Sequence, residues 1–325
     1  MSDRPKIVCT DIECRFFAGD LARLRDVGEV VFAEDYRVET LAREVAGADV
    51  LVTSCFASVP APVIAAGGQL RAVVKYGVGV DNIDLAAATE RGICVANCPD
   101  YGSGTIADMA FAMLLALARK LPMIDRTFCD QGWFWPDDIF CATDLEGQTL
   151  GIIGLGRIGR KMARRAAGFE MQILTNDPYV SENDVREEPF RVQFVSLGRL
   201  LSESDFVSIH CVLTPETRGL LGTAEYQRMK RSAYLIDVSR GAILDEAALV
   251  TALDEGQIAG AALDVFAEEP LANDHPLLRM RDKVIATPHL AWLTHQAAAE
   301  QSRQAADAVL DVLAGRRPRS VVNGA

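Results

Sequence analysis

The residues with the clearest chemical meaning form a glycine-rich turn in the middle of the chain. Gly154, Gly156 and Gly159 follow an apolar run at 150–153 that is typical of a buried strand, and a helical pattern covers 157–168. Such a turn brings backbone N–H groups and the N-terminus of a helix close to a pyrophosphate. The spacing therefore predicts a dinucleotide site.

An acidic residue indicates which dinucleotide is bound. Asp177 stands eighteen residues beyond Gly159, directly after a second predicted strand at 171–176. A carboxylate there accepts hydrogen bonds from both ribose hydroxyls and repels a 2′-phosphate. The next residues, Pro178 and Tyr179, offer no arginine for that phosphate. We therefore expect NAD rather than NADP.

Three later segments place polar side chains directly after strand-like runs. They are Asp237-Val238-Ser239-Arg240-Gly241, Asp264-Val265-Phe266-Ala267-Glu268-Glu269-Pro270 and Thr287-Pro288-His289-Leu290-Ala291-Trp292. Strands of a parallel sheet present their carboxyl ends to the ligand. We therefore expect these segments at the edge of the sheet that also carries the glycine-rich turn.

The order of these motifs resembles the D-2-hydroxyacid dehydrogenase family along nearly the whole chain. An early run at 75–84 is similar to the substrate loop of that family, so that five motifs occur in order. The resemblance implies a catalytic set of Arg240, Glu269 and His289. Together with the turn and its acid, it gives as cofactor-binding residues Gly154, Gly156, Arg157, Ile158, Gly159, Asp177, Cys211, Val238, Ser239 and Asp264.

The implied catalytic roles agree with the chemistry of the side chains. Reduction of a 2-oxo acid needs a hydride from nicotinamide and a proton for the carbonyl oxygen. His289 is expected to exchange that proton, and Glu269 to orient the ring and favour its charged form. Arg240 is expected to anchor the substrate and polarise its carbonyl group. Glu268 competes with Glu269 as the acid, and the family pattern, which places the acid directly before proline, favours Glu269.

Substrate recognition is expected from the early run. Backbone N–H groups of Gly77, Val78 and Gly79 suit a carboxylate, as adjacent amides in tight turns do. Lys75 stands where phosphoglycerate dehydrogenases and C-terminal-binding proteins, a branch that the chain also resembles, usually carry arginine, and lysine lacks the bidentate fork. Trp292 either walls the substrate pocket or packs under the last helix. The expected partner is a small 2-oxo or 2-hydroxy acid whose identity stays open.

Short apolar strands alternate with helical patterns throughout, which is typical of a parallel α/β protein. The predicted strands lie near 6–12, 29–33, 50–53, 70–75, 94–97, 150–153, 171–175, 206–210, 233–238, 260–265 and 284–286. We expect two doubly wound parallel-sheet domains, a flavodoxin-like substrate domain and a Rossmann NAD domain, with the active site in the cleft.

The domain boundaries follow from the last helix. A helix predicted at 291–313 comes after the sixth strand of the middle domain, whose sheet is then complete. We expect it to return to the first domain. The substrate domain would then comprise 1–100 with 292–325, and the NAD-binding domain 101–291.

Composition and charge argue against several other classes of protein. The formal net charge is −12 and no basic stripe occurs, which argues against nucleic-acid binding. The longest apolar stretch, 106–118, contains Asp108 and is too short to span a bilayer. No signal peptide is recognised, so a cytoplasmic protein is expected. The eight cysteines lack C-x-x-C spacing, and no metal site is expected.

Two hypotheses on function and one on assembly follow. The leading hypothesis is an NAD-dependent oxidoreductase that reduces small 2-oxo acids to D-hydroxy acids. The alternative is an NAD(H)-sensing interaction protein of the C-terminal-binding-protein type, which Trp292 suggests. A helix predicted at 105–119 is apolar on nearly every face, which indicates burial and, because one chain has little need of so wide an apolar surface, a homodimer.

Overall fold

A computed structural model describes residues 4–10 and 18–324 of the chain. The chain divides into two compact units, Met1–Gly102 with Leu293–Ala325 and Ser103–Trp292. Each unit is built around one parallel β-sheet, of five strands in the first and seven in the second. The predicted class, two doubly wound α/β sheets, is confirmed.

The strands are short and alternate with helices along the chain. The described residues form the strands β1 Lys6–Cys9, β2 Glu29–Phe32, β3 Val50–Thr53, β4 Ala72–Lys75, β5 Cys94–Ala96, β6 Thr149–Ile153, β7 Gln172–Asn176, β8 Gln193–Phe194, β9 Phe206–Ile209, β10 Tyr234–Asp237, β11 Gly260–Leu263 and β12 Val284–Ala286. They form the helices α1 Ala18–Val27, α2 Val38–Val45, α3 Ala61–Ala66, α4 Leu85–Glu90, α5 Ser103–Ala118, α6 Leu121–Gln131, α7 Arg157–Gly168, α8 Leu197–Glu203, α9 Thr223–Arg228, α10 Glu246–Asp254 and α11 His295–Leu313.

The first sheet has the order β2-β1-β3-β4-β5, and all neighbouring strands are parallel. The central strands β3 and β4 are buried along their whole length, as continuous apolar strands covered on both faces are. The predicted extension of β1 to residues 11 and 12 lies outside the described residues.

Helix α11 packs on α1 and β4 and so belongs to the first unit. The prediction that it begins at residue 291 is wrong by four residues. The side chain of Thr294 accepts a hydrogen bond from the Ala297 N–H at 3.1 Å and caps the helix, which therefore begins at His295.

The second sheet has the order β12-β11-β10-β9-β6-β7-β8, again with parallel neighbours. Successive residues of β6 alternate between two hydrophobic cores, so that Ile152 packs with α5 and α7 and Ile153 packs on the opposite face. The sequence did not predict β8, because this edge strand has only two residues and leaves no periodic pattern.

Helix α5 is buried within its own unit, where Ala110, Leu114 and Leu117 pack in the core beside β6 and α7. Part of the apolar surface from which a homodimer was predicted is thus covered by the same chain, whereas Ile106, Met109 and Leu115 are half-buried. None of the helices that the structure describes has the length and apolar character needed to cross a membrane.

Candidate active site

The candidate functional residues of the second unit follow the carboxyl ends of its strands. Because all strands of this sheet are parallel, these ends lie along one edge of the sheet. The glycine-rich turn follows β6, Asp177 follows β7, and Cys211 lies two residues beyond β9. The segments with Arg240, Glu269 and His289 follow β10, β11 and β12 in that order.

The glycine-rich turn packs too closely for side chains at two of its positions. Gly154 has φ +91°, and a Cβ atom there would lie 2.5 Å from the backbone nitrogen of Cys211. A Cβ atom on Gly159 would overlap the carbonyl oxygen of Gly154. Glycine fits contacts of this kind because it has no Cβ atom. Gly154 therefore allows the turn to approach the segment after β9, and Gly159 allows α7 to approach the turn.

The third glycine of the turn faces open space. No atom lies within 4 Å of the position that a Cβ atom of Gly156 would take. Gly156 is also the N-cap of α7, and no described side chain caps this helix start. Arg157 is exposed and Ile158 is half-buried. The first N–H groups of a helix have no partner within the helix, and an open N-terminus of this kind fits the pyrophosphate of a dinucleotide.

Asp177 ties the turn to the neighbouring strand. Its Oδ2 accepts a hydrogen bond from the Leu155 N–H at 2.7 Å, and its Oδ1 accepts one from the Tyr179 N–H at 2.8 Å. A carboxylate offers about four acceptor sites, so the Asp177 carboxylate can also accept from ribose hydroxyls. The donor set of the turn therefore fits NAD.

His289 and Glu269 form a hydrogen-bonded pair. His289 Nδ1 lies 2.7 Å from Glu269 Oε2, and Glu269 Oε1 accepts a bond from the Phe266 N–H at 2.9 Å. The side chains are 17% and 23% exposed, so the pair is open to a ligand. Burial acts to raise the pKa of Glu269, but the hydrogen bond and charge of His289, the Phe266 N–H and the charge of Arg240 outweigh it and lower that pKa. Glu269 is therefore a carboxylate at neutral pH, and it can stabilise an imidazolium.

Asp264 holds the turn that carries His289. Its carboxylate accepts hydrogen bonds from the hydroxyl of Thr287, from the Leu290 N–H at 2.9 Å and from the Ala291 N–H at 2.8 Å. Its carbonyl oxygen accepts the His289 N–H at 2.8 Å. His289 has φ +55°, a conformation that costs free energy for any residue other than glycine. These bonds to Asp264 hold the strained turn in place.

Arg240 follows a tight turn at the end of β10. The Oδ1 of the buried Asp237 accepts bonds from the Ser239 N–H at 2.8 Å and the Ser239 hydroxyl at 2.6 Å. Ser239 in turn accepts a bond from Arg240 Nη1 on its carbonyl oxygen at 2.8 Å. A Cβ atom on Gly241 would overlap the backbone of Phe266, so the Arg240 segment packs directly on the segment that carries Glu269.

Two further residues assigned to the cofactor line the same edge. Val238 is 7% exposed and half-buried Cys211 lies against Gly154. Burial raises the pKa of the Cys211 thiol to about 12, with a smaller contribution from the charge of Asp237. The thiol is therefore neutral, which suits a packing role beside a cofactor.

The residues assigned to the substrate lie mainly in the first unit. Lys75 ends β4 and is only 2% exposed, and its Nζ donates to the Ser54 carbonyl oxygen at 2.6 Å and to Asn82 Oδ1 at 2.9 Å. Gly77 has φ +141° and its carbonyl oxygen accepts the Cys98 N–H, while Val78 is exposed and Gly79 half-buried. Trp292 is the last residue of the second unit and is 6% exposed.

Sequence reasoning missed the supporting roles of two aspartates. It assigned Asp264 to the cofactor without foreseeing that its carboxylate binds the His289 turn, and it gave Asp237 no role. An Asp at the end of a strand that is followed two residues later by Ser is a known turn signal. This signal could have identified Asp237. No comparable signal linked Asp264 to N–H groups some 26 residues away.

Comparisons with known proteins agree with this geometry. Residues 111–291 match the family model described as D-isomer specific 2-hydroxyacid dehydrogenase, NAD binding domain. The chain is 43% identical over 277 residues to a protein named glyoxylate reductase from Korarchaeum cryptofilum (strain OPF8), and the match covers 85% of this chain and 82% of that relative.

Two further relatives extend the comparison. The chain is 40% identical over 285 residues to a D-3-phosphoglycerate dehydrogenase from Archaeoglobus fulgidus; this covers 88% of the chain but only 53% of the relative, so the chain spans about half of that protein. A crystal structure of D-lactate dehydrogenase from Aquifex aeolicus, complexed with NAD and lactic acid, superposes with a TM-score of 0.89 at 27% identity, over 98% of this chain and 99% of that one. The chain belongs to the D-isomer specific 2-hydroxyacid dehydrogenase family, and its second unit carries the NAD-binding domain of that family.

Proposed function

We propose that the protein is an NAD-dependent dehydrogenase that reduces a small 2-oxo acid to the D-2-hydroxy acid, with His289 as proton donor and, in the reverse direction, acceptor. The observation that carries this proposal is the 2.7 Å contact between His289 Nδ1 and Glu269 Oε2. It fixes one ring nitrogen, while no described residue bonds His289 Nε2, which is left for the substrate.

The chemistry of the pair follows from its charges. NADH supplies the hydride when it is bound. His289 holds a proton on Nε2 and donates it to the carbonyl oxygen of the substrate, which otherwise acquires a full negative charge. Glu269 stabilises the charged ring and orients it, because both of its oxygens are held by hydrogen bonds.

Arg240 is proposed to bind the substrate on the same edge. Its guanidinium has five N–H donors, and its planar fork matches a carboxylate together with the adjacent carbonyl oxygen. The bond from Nη1 to the Ser239 carbonyl oxygen orients the fork. Polarisation of the carbonyl by this charge would favour hydride addition.

We propose that the first unit is the substrate domain. The backbone at Gly77, Val78 and Gly79, of which Val78 is exposed and Gly79 half-buried, is the proposed contact for the substrate carboxylate. Lys75, whose ammonium group is buried against Ser54 and Asn82, would act on the substrate mainly by holding this loop. Trp292 is proposed to limit the size of the substrate, and its burial leaves it little freedom to move.

Glyoxylate is the first substrate to test. The relative named glyoxylate reductase matches over most of its own length, whereas the phosphoglycerate dehydrogenase relative is matched over about half. Lys75 is engaged inside the first unit, and it lacks the bidentate geometry that suits a phosphate. We therefore propose a small, unphosphorylated 2-oxo acid. The curated relatives described above are enzymes by name, so the hypothesis of a nucleotide-sensing interaction protein is not favoured.

We also propose a homodimer, on different grounds from those of the sequence. Helix α6 has no buried residue, and apolar side chains on it and on the following loop are exposed; they are Leu121, Phe128, Trp133, Trp135 and Ile139. Exposed apolar residues concentrated in one segment indicate a protein contact. The cytoplasmic location stays a prediction.

A panel of 2-oxo acids tests the proposed activity. NADH oxidation is followed with glyoxylate, pyruvate, hydroxypyruvate and 3-phosphohydroxypyruvate, and the configuration of each chiral product is determined. We expect turnover with one or more of the unphosphorylated acids and D products. Binding of NADH without turnover of any acid in the panel would contradict the proposal.

A further inference from the structure

A second buried aspartate lies beside the proposed active site and has an unusual environment. Asp237 ends β10 and has no exposed surface. Its Oδ1 accepts two bonds from Ser239, whose carbonyl oxygen accepts the bond from Arg240 Nη1. One chain of hydrogen bonds therefore connects Asp237 to the guanidinium that is proposed to bind substrate.

The other carboxyl oxygen of Asp237 has no partner. Asp237 Oδ2 is buried without a hydrogen bond to any described residue. Two more buried polar atoms on neighbouring elements have no hydrogen bond to any described residue. They are Nδ1 of His210, directly after β9, and the hydroxyl of Tyr226 on α9. Asp237 pairs with Ile209 across the sheet, so His210 follows on the adjacent strand. Burying an ionised carboxylate that has one oxygen without a hydrogen bond costs much free energy. Burying the neutral acid, whose O–H group is a donor, costs less.

Burial shifts this balance toward the neutral acid, and the charged groups around Asp237 act in both directions. Burial raises the pKa of Asp237 from 3.8 to about 7; the bonds from Ser239 and the charge of Arg240 oppose this, and the charge of Asp264 adds to it. Burial lowers the pKa of His210 to about 3, so that the ring is uncharged.

The Tyr226 phenol and the Cys211 thiol, which also lie near Asp237, are neutral. Burial, and then the charge of Asp237, raise the pKa values of the Tyr226 phenol and the Cys211 thiol. The charges of Glu225, Asp245 and Glu246 also raise the pKa of the phenol. Arg240 is therefore the cation that faces the carboxyl group, and Asp264 is the nearby acid.

We propose that Asp237 is a positioning residue that, as a neutral carboxylic acid, holds Ser239 and thereby the Arg240 guanidinium in the arrangement that binds the substrate. This inference rests on the proposed role of Arg240 in substrate binding. Loss of the proton places an anion beside Arg240, which attracts the guanidinium and competes with the substrate carboxylate. The affinity for the 2-oxo acid then falls as the pH rises through neutrality, while the affinity for NADH does not.

Two substitutions separate the proton from the side chain. Asp237→Asn is neutral at every pH and keeps an oxygen that accepts the bonds from Ser239, whereas Asp237→Ala removes that acceptor. Asp254→Asn changes an exposed acid at the end of α10 and serves as the matched control. Steady-state kinetics with glyoxylate and saturating NADH are measured from pH 5.5 to 9.

The ratio of kcat/KM between Asp237→Asn and the wild type is the decisive quantity, because the contribution of His289 is common to both and cancels. We expect a ratio near one at pH 6 that rises about fivefold by pH 8.5 through KM, as for a charge that competes with a charge-assisted hydrogen bond. Asp237→Ala should raise KM across the whole pH range. A ratio that is independent of pH would overturn the proposal.

A second measurement needs no catalytic activity. The pKa of Asp237 in the folded protein, about 7, lies above its ordinary value of 3.8. The wild type should therefore lose thermal stability relative to Asp237→Asn as the pH rises from 3.8 to about 7, and the difference should then stay level. We expect the difference in Tm to grow by about 4 °C or more between pH 5.5 and 8.5. A constant difference would show that Asp237 does not hold a proton. If the difference grows but no oxo acid is turned over, the proposed function is wrong, and the proposal for Arg240 with it.

Discussion

The backbone conformation of His289 depends on the side chain of another residue. At φ +55° the turn is strained, and Asp264 compensates by accepting bonds from the N–H groups of Leu290 and Ala291 and from the hydroxyl of Thr287. Burial raises the pKa of the Asp264 carboxyl, which means that burial makes its charged form less stable. The position of the imidazole is therefore obtained at some expense in the stability of the folded protein. Asp264 is thus expected to act on catalysis through the position of His289.

Replacing Asp264 by Asn tests this positioning. An amide offers one acceptor oxygen and one NH₂ group, so at least one of the three donors faces another donor. We expect kcat to fall about 10- to 100-fold, and the free energy of unfolding to fall by about 1–3 kcal/mol, because a buried donor is left without a partner. Steady-state kinetics and chemical denaturation measure both. Asp274→Asn, at an exposed position, is the control; an Asp264→Asn variant that matches it in both properties would contradict this account.

Asp177→Ala tests the choice of cofactor. The carboxylate repels a 2′-phosphate, and it also holds the turn through the Leu155 N–H. We expect the ratio of kcat/KM for NADH to that for NADPH to fall by about tenfold or more. The ratio is insensitive to a general loss of folded protein. A preference that stays unchanged would show that another residue selects NAD.

At the level of residues, the sequence identified the His289, Glu269 and Arg240 segments through motif order. The 2.7 Å pair of His289 and Glu269 then appears in the structure. The supporting contacts of Asp264 are not visible in the sequence, because they depend on the path of the backbone between β11 and α11 and on one residue with positive φ. The burial of Lys75 also depends on tertiary contacts, with Ser54 and Asn82.

At the level of elements, the glycines of the turn divide into those that shape it and one that leaves it open. Alanine at position 159 would place its Cβ in the carbonyl oxygen of Gly154, whereas alanine at position 156 would meet no atom within 4 Å. We expect Gly159→Ala to lower the free energy of unfolding by about 1–3 kcal/mol. Gly156→Ala should leave it nearly unchanged.

The effect of Gly156→Ala on NADH affinity should differ from its effect on the free energy of unfolding. If the open space at Gly156 receives the pyrophosphate, Gly156→Ala weakens NADH binding at least about tenfold although it folds normally. Fluorescence titration with NADH and denaturation of the same samples give the two quantities. Normal NADH affinity in Gly156→Ala would show that the cofactor does not approach the helix there.

The elements themselves were largely predictable. The bounds of α7, Arg157–Gly168, follow from the turn that starts it and the glycine at its end. Every predicted strand has a counterpart, because fully buried parallel strands give continuous apolar runs. Strand β8 was missed because it is two residues long, and the start of α11 was misplaced because the run from Ala291 continues the helical pattern across the Thr294 cap.

At the level of the whole molecule, the exposed apolar side chains of the second unit indicate association. Trp133 and Trp135 are 78% and 80% exposed. We expect the protein to sediment as a dimer at micromolar concentration, and the double substitution Trp133→Ser with Trp135→Ser to shift it toward monomer without loss of thermal stability, because neither ring packs in the core. Val27→Ser, at an exposed position in α1, is the control. A wild-type protein that sediments as a monomer would contradict the proposed homodimer.

His289, held by Glu269, is proposed to donate the proton in an NAD-dependent reduction. The most direct test is the variant His289→Gln, studied by steady-state kinetics with the best 2-oxo acid and by NADH titration, with the exposed His295→Gln as control. We expect kcat to fall about 10³-fold while the Kd for NADH stays within about threefold of the wild type. A variant that keeps most of its kcat, or one that loses NADH binding as severely as turnover, would contradict this proposal.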